Sequence, residues 1–323
     1  MNVTGVVENK STISEVKHKT KKNRLTKVKK SWQLYVLFIL PLMYILVFHY
    51  YPMYGASIAF KNFDPVLGIG GSPWVGFEHF KKFFESYDFV RVLKNTLGLS
   101  LYSLIAGFPL PILLALSLNY VYSKRFKQAA QLITYAPHFI SVVVMVGIIF
   151  MILDPRGPIN NFLTLFGLKE GINFMGEADY FKSIFVMSGI WQNVGFGCII
   201  YLAALTSVSP ELHEAAIVDG ASKIRRIWHV DIPGIMQTAV LVLILNMGSF
   251  LDTGFEKVLL MQNPLNLSSS QVIDTYVYNV GLVSALPQYS YAAAIGIFKS
   301  VVAFILIIAS NKLAKKVGQD GLW

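Results

Sequence analysis

Six long apolar runs, at 33–53, 96–121, 135–153, 184–205, 235–251 and 292–310, leave this chain few ways to fold. A helix of roughly 20 apolar residues spans the ~30 Å hydrocarbon core of a bilayer. Lipid offers no hydrogen-bond partners, so each crossing segment must satisfy its own backbone, and helices do that. The expected fold class is therefore an all-α membrane protein with six transmembrane helices. The fifth run is short and should extend by a turn at either end. The second contains Gly98, Gly107, Pro109 and Pro111, breakers that neighbouring helices can cover. Composition agrees, with 54% hydrophobic residues, 14% charged and a mean hydropathy of +0.53. A soluble domain carries about a quarter charged residues.

An even number of spans puts both termini on one side, and the basic residues say which. Nine Lys/Arg crowd residues 1–31 against two acids, Glu8 and Glu15. Three more lie at 124–127, three at 223–226 and three at 312–316, so eighteen of the 28 fall on the side of the termini. That bias predicts a multi-pass cell-membrane protein with both termini cytoplasmic. Residues 1–31 read as a basic disordered tail, 32–316 as the six-span domain, and 317–323 as a second cytoplasmic tail. A basic flank beside a first span explains the net charge of +10 better than nucleic-acid binding does. The long polar lead and long first run also argue against a cleaved leader, whose apolar core is ~7–15 residues. Aromatics gather at the span ends (Trp32, Tyr35, Tyr50, Tyr51, Tyr54), as at lipid–water boundaries. Loops 54–90 and 154–182, on the other side, each combine a turn with a short amphipathic helix.

Chemistry within the chain is not expected. The single cysteine, Cys198, excludes a disulfide framework, and six histidines without ligand spacing give no metal site. "HEAAI" at 213–217 ends in Ile217 where a zinc-binding H-E-x-x-H needs a second His. No G-x-x-x-x-G-K-[ST] is present, so no P-loop binds ATP, and no nucleophile–base constellation can be assembled. The chain reads as a non-enzyme whose energy source lies in a partner.

One polar stretch interrupts this pattern between the fourth and fifth runs, "SPELHEAAIVDGASKIRRIWHVDIPGI" at 209–235. Ser209 suits an N-cap, Pro210 the first helical position, and Glu211 and Glu214 the positive helix start. Asp219-Gly220 stops or bends the helix, since glycine takes left-handed angles cheaply. Asp219 or Ser222 can cap a second helical piece. Ile224, Ile227 and Trp228 share one face of that piece, which Pro233 is expected to end. Ala215 and Ala216 let another surface approach the backbone, so the stretch describes a bent docking knob. The plainer alternative is an amphipathic helix lying on the inner leaflet.

These residues resemble the EAA loop of bacterial ABC-importer permeases. Glu214, Ala215, Ala216, Asp219, Gly220, Ala221, Ile232 and Pro233 fall in its pattern, with Ile232 where leucine is common. "WVGFEHF" (74–80), "KNTL" (94–97), "APHFIS" (136–141) and "GIWQNVGF" (189–196) are similar to stretches of the carbohydrate-type permeases, in particular those associated with polysaccharide or oligosaccharide uptake. The resemblance covers nearly all of the span region and implies a type I ABC-importer permease fold. It further implies that Glu214, Ala215, Ala216, Asp219, Gly220, Ile232 and Pro233 couple to a separate ATPase dimer, where ATP and magnesium would be bound. The chain itself would need no cofactor. A second, similar permease, giving a heterodimer, and an extracellular solute-binding protein are the other implied partners.

Polar groups within spans are functional candidates because lipid makes them costly. Gln192, Asn193 and Phe196 lie close together in the fourth run. Asn246, Ser249, Phe250 and Thr253 have i, i+3, i+4, i+7 spacing, one helical face mixing amide, hydroxyl and aromatic groups. Such a face suits a sugar, and the resemblance implies that spans beside the EAA loop help form the sugar site. Interhelical hydrogen bonding is the competing reading. Lys299 and Asp252 could pair. For the whole chain, the alternative is a secondary transporter driven by an ion gradient, although acids inside the runs are scarce.

Overall fold

The computed structural model describes residues 30–167 and 171–316. Residues 1–29 of the basic tail and all of the C-terminal segment 317–323 lie outside them. The chain divides into two compact units, Met1–Ser57 and Ile58–Trp323. Six helical stretches are long and apolar enough to cross a membrane: Trp32–Phe60, Tyr87–Asn119, Val142–Thr164, Ala178–Thr206, Lys223–Gly248 and Tyr289–Lys316.

The first begins as α1 (Trp32–Ile45), passes through a π turn at Leu46–Tyr50, and continues through Tyr51–Met53. The π turn ends one residue before Tyr51, and Pro52 comes directly after. Proline has no N–H to donate and its ring crowds the carbonyl four residues back. A widened turn just ahead of it lets the helix continue.

In the second unit, α2 (Glu78–Glu85) precedes a broken second span, α3 (Tyr87–Gly107) and α4 (Pro109–Asn119). The break falls at the expected prolines. Next come α5 (Lys124–Tyr135), the third span α6 (Val142–Leu153), and α7 (Pro158–Thr164). The third span therefore starts at Val142, seven residues later than its apolar run. Pro137 sits in a 3-10 turn at Ala136–Phe139, Ile140 is extended, and the Ser141 hydroxyl caps the new helix through Val144 N–H. Hydropathy registers none of these breaks.

The fourth span, α8 (Ala178–Thr206), is the central helix of this unit. It packs most extensively on α4, and also on α3 and α5. Gly195 permits the closest approach: a Cβ there would stand 2.0 Å from the Thr134 carbonyl oxygen of α5. Any other residue at this position would force the two helices apart.

The docking stretch forms α9 (Pro210–Val218), α10 (Lys223–Arg226) and a π turn at Ile227–Asp231 that runs into the fifth span, α11 (Ile232–Gly248). Pro233 thus does not end the second piece. It occupies the first turn of α11, again just beyond a π turn. The fifth span gains residues at its loop end but stops at Gly248, short of Leu251. Beyond it, α12 (Phe255–Met261) and α13 (Ile273–Tyr278) fill a connection that hydropathy leaves blank, before the sixth span, α14 (Tyr289–Lys316).

Tyr120, just past α4, donates a 2.7 Å hydrogen bond to Asp231 at the base of α11, so the 2–3 and 4–5 connections share one face, the loop face. The far face is built from α2, α12 and α13. There Phe83 packs with Phe89, Tyr276, Tyr291 and Phe298. Asn95 donates to the carbonyls of Ser268 and Gln271, and Thr96 accepts from Ile273 N–H. Lys299 donates to both carboxylate oxygens of Asp274 at 2.6 and 2.7 Å, not to Asp252.

Candidate functional site

Two features on this scaffold invite function: the loop-face knob and a cavity between spans. The knob is held at both ends of α9. Ser209 Oγ accepts from Glu211 N–H across the proline-started first turn. At the other end Ala221 N–H bonds to Ala216 C=O at 2.8 Å and Gly220 N–H to Ile217 C=O at 3.0 Å. This 6→1 and 5→2 pair is a Schellman closure, and it requires the φ of +74° that Gly220 adopts. Of the two foreseen caps, Ser222 caps α10, through Arg225 N–H.

The knob's outer surface is open. Glu214, Ala215, Asp219 and Gly220 are exposed, and Ala216 beside them is half-buried. Around them Leu212, Ile217 and Val218 are exposed too, Val218 at 87%. Glu214 makes no ion pair among the described residues. Ile232 instead packs inward, beside the core of Leu118, Tyr201 and Ile235. Pro233 is exposed but lies in α11 rather than on the knob. The predicted coupling set therefore splits into an exposed contact surface and a hinge at its root.

That root carries residues the motif does not flag. Asp231 is completely buried. One carboxylate oxygen accepts from Tyr120 Oη, and the other stands 3.3 Å from His213 Nε2 on α9, without hydrogen-bond alignment. Arg226 lies over the Tyr120 ring, 5.6 Å from its centre, and Lys223 lies over Tyr122 at 4.8 Å. Tyr120 and His213, from two elements, thus converge on one buried charge, and so the knob is tied both to the fifth span and to the end of the second. An aspartate in a polar loop reads as solvated, so no sequence signal marks this one.

The cavity has a volume of about 450 Å³ and lies between spans two, four and five. Five of the seven predicted substrate residues line it: Asn193, Asn246, Ser249, Phe250 and Thr253. The last three arrive by another route than foreseen, because α11 ends at Gly248 and they sit on the turn just past it. Asn193 also bonds His138 at 3.0 Å. Gln192 and Phe196 are not in the lining. Gln192 is buried and donates to the Ile140 carbonyl, and Phe196 stacks on the His138 ring with centres 4.0 Å apart. On a helix, the residue next to Asn193 points elsewhere, while Phe196, on the same side, is taken up by His138. The second span adds Ser100, Ser103 and Phe108, and the fourth adds Phe185, Gly189 and Tyr201. Ser100 Oγ and Thr253 Oγ1 are buried with no hydrogen-bond partner among the described residues. Buried hydroxyls without partners are costly, and here both border one cavity.

Comparison with known proteins gives this arrangement its context. Residues 107–319 match the family described as binding-protein-dependent transport system inner membrane component. The chain belongs to that family. Protein LplB of Bacillus subtilis is 46% identical over 92% of this chain and 92% of its own. The polygalacturonan/rhamnogalacturonan transport system permease protein YteP of the same organism is 42% identical over 95% of each chain. Among solved structures, a bacterial ABC transporter involved in the import of the acidic polysaccharide alginate matches with a TM-score of 0.84 and 39% identity. That match covers 91% of this chain and 99% of the other. A bacterial alginate ABC transporter in complex with an alginate pentasaccharide-bound periplasmic protein also gives a TM-score of 0.84, at 38% identity. This chain is thus a multi-pass membrane permease of the ABC-importer type. The family is one of transport components, in keeping with a role other than catalysis.

Proposed function

We propose that this permease, with a second permease subunit, forms the path through which an ATP-driven importer takes up oligosaccharides or polysaccharide fragments. The exposed, Schellman-closed knob rooted on buried Asp231 carries this reading. It is a rigid part with an open surface, tied to two spans that line the cavity, as a lever between an ATPase and a substrate path must be. The excess of basic residues on the knob's side supports a cytoplasmic position for it and for both termini. ATP and magnesium would be held by a separate ATPase dimer, and a solute-binding protein would deliver sugar to the far face. The likeness to LplB, YteP and the alginate transporter supports a saccharide cargo, and the mixed amide, hydroxyl and aromatic lining suits one. In this reading Asn193, Asn246, Ser249, Phe250 and Thr253 contact the sugar, while Gln192 and Phe196 support the wall.

The test is Glu214→Lys and Gly220→Val in the assembled transporter, read by co-purification of the ATPase and by ATP-driven uptake. Both variants should lose uptake at least tenfold, Glu214→Lys through loss of the ATPase and Gly220→Val through strain at a left-handed position. Intact coupling in both, or uptake abolished by an ionophore but indifferent to ATP, would favour a gradient-driven carrier.

A further inference from the structure

Behind the far-face wall of the cavity lies a cation that the fold leaves without a counter-charge. Lys257, on α12, is only 8% exposed. Its ammonium donates to one group, the Phe185 backbone carbonyl at 3.0 Å, and lies 4.6 Å from the centre of the Phe185 ring. It also stands 3.4 Å from the point a Cβ on Gly189 would occupy. Phe185 and Gly189 both line the cavity, and Thr253, one turn before Lys257, lines it too. No carboxylate among the described residues comes within ion-pair distance of Lys257.

Two further lysines extend the positive region. Lys182 precedes Phe185 by one turn of α8, and its ammonium lies 3.3 Å from the Cβ position of Gly98, two residues before Ser100 of the cavity wall. Lys94 is near enough for the two ammonium groups to repel one another. Lys182 is half-buried and Lys94 exposed, and neither has an acidic partner among the described residues. Elsewhere on the far face Arg91 pairs with Asp88 and Lys299 with Asp274, while Lys82 donates to Gln288. A buried charge is retained only when something neutralises it. An ammonium with donors to spare, behind a wall of unpartnered hydroxyls, is matched by a sugar bearing carboxylates.

We propose that Lys257, just behind the Phe185–Gly189 wall and with Lys182 and Lys94 beyond it, forms a carboxylate-binding subsite at the edge of the cavity, so that the cargo is an acidic oligosaccharide containing uronic acid units. This rests on the saccharide reading of the same cavity and narrows it. Asp252, the one acidic residue of the lining, opposes an anion and gives the inference a second handle of opposite sign.

The assembled transporter with its solute-binding protein, in proteoliposomes, would be offered three probes. These are oligomers of depolymerised pectate and alginate, their carboxyl-methyl esters, and neutral malto-oligosaccharides. The solute-binding protein is common to every variant, so changes in the acid-to-ester uptake ratio report on the permease. Wild type should favour acid over ester at least tenfold. Lys257→Gln should cut that ratio at least fivefold, Lys257→Arg should keep it, Lys182→Gln should cut it about twofold, and Asp252→Asn should raise it. A wild-type ratio near one, or a ratio unmoved by Lys257→Gln, overturns the inference. Where Lys257→Gln does not assemble, a ratio unmoved by both Lys182→Gln and Asp252→Asn overturns it as well. Brisk import of malto-oligosaccharides without import of uronates overturns the subsite but leaves the saccharide reading standing. ATP-driven turnover with none of the three imported overturns both.

Discussion

Asp231 and Lys257 are both buried charges on short helical joints beside the fifth span, yet the fold treats them oppositely. Around Asp231 it places a tyrosine hydroxyl and a histidine from two other elements, with an arginine over the tyrosine ring. Around Lys257 it places one backbone carbonyl and an aromatic face. The first charge is met by polar groups of the protein and holds parts of it together. The second is held ready and unbalanced, at the edge of a cavity. A buried charge whose partners are present serves architecture, and one whose partners are missing points to something that comes and goes.

The largest expected effect probes the partnered charge. Asp231→Leu should lower the stability of the purified complex by about 3–5 kcal/mol, the range for breaking a buried pair, read as a fall in melting temperature. Uptake should be lost with it. Asp231→Asn keeps an acceptor for Tyr120 and should cost about 1 kcal/mol. Equal, small effects from both would erase the contrast.

Next in size is Lys257→Met, with the opposite sign. Burial depresses the Lys257 ammonium from its ordinary 10.5 to about 8. Keeping it charged at neutral pH therefore costs the fold on the order of 3 kcal/mol, less whatever relaxation recovers. A base whose folded value is lowered destabilises the fold below that value, and the penalty fades as pH rises towards the unfolded value. Lys257→Met should accordingly melt higher than wild type at pH 7, with the gap closing towards pH 10.5. A lower melting point at pH 7 would mean that the protein does balance this charge.

The same titration sets the third expectation. If the ammonium grips a carboxylate, the acid-to-ester uptake ratio should fall severalfold as pH rises from 7 through about 8 to 9. Lys257→Arg should show no such fall, because guanidinium stays charged. The smallest effect concerns Thr253→Val, which removes a buried hydroxyl lacking a partner. Stability should stay within about 1 kcal/mol or rise, while uptake drops severalfold. A hydroxyl serving the fold would show the reverse.

Much of this is legible in sequence, and the exceptions share a cause. Apolar length finds all six spans, and prolines 109 and 111 foretell the break between α3 and α4. The caps of α9 and the Gly220 turn come from local backbone rules acting over a few residues. Hydropathy cannot register Pro137 and Ser141, so it places the third span early. Helical spacing groups Asn246 with Thr253 correctly, although α11 ends at Gly248, because the turn beyond it keeps the same side chains on the cavity. Spacing misjudges Gln192, since only packing shows that its amide is used by Ile140. Asp231 and Lys257 escape a sequence reading altogether. Both lie in segments polar enough to pass for solvated, and burial by distant helices is a property of the whole fold.

The π turn at Ile227–Asp231 also fixes a phase. One surplus residue in a helical turn rotates everything downstream by about 100° relative to an unbroken α-helix. With that offset, Arg226 reaches the Tyr120 ring before the turn while Asn246 faces the cavity after it. The joint thus works like a keyed shaft coupling: it sets the angle at which a push on the knob is delivered to the wall of the transport path. Excising a single residue between Ile227 and Val230 would remove that offset and turn Asn246 away from the cavity.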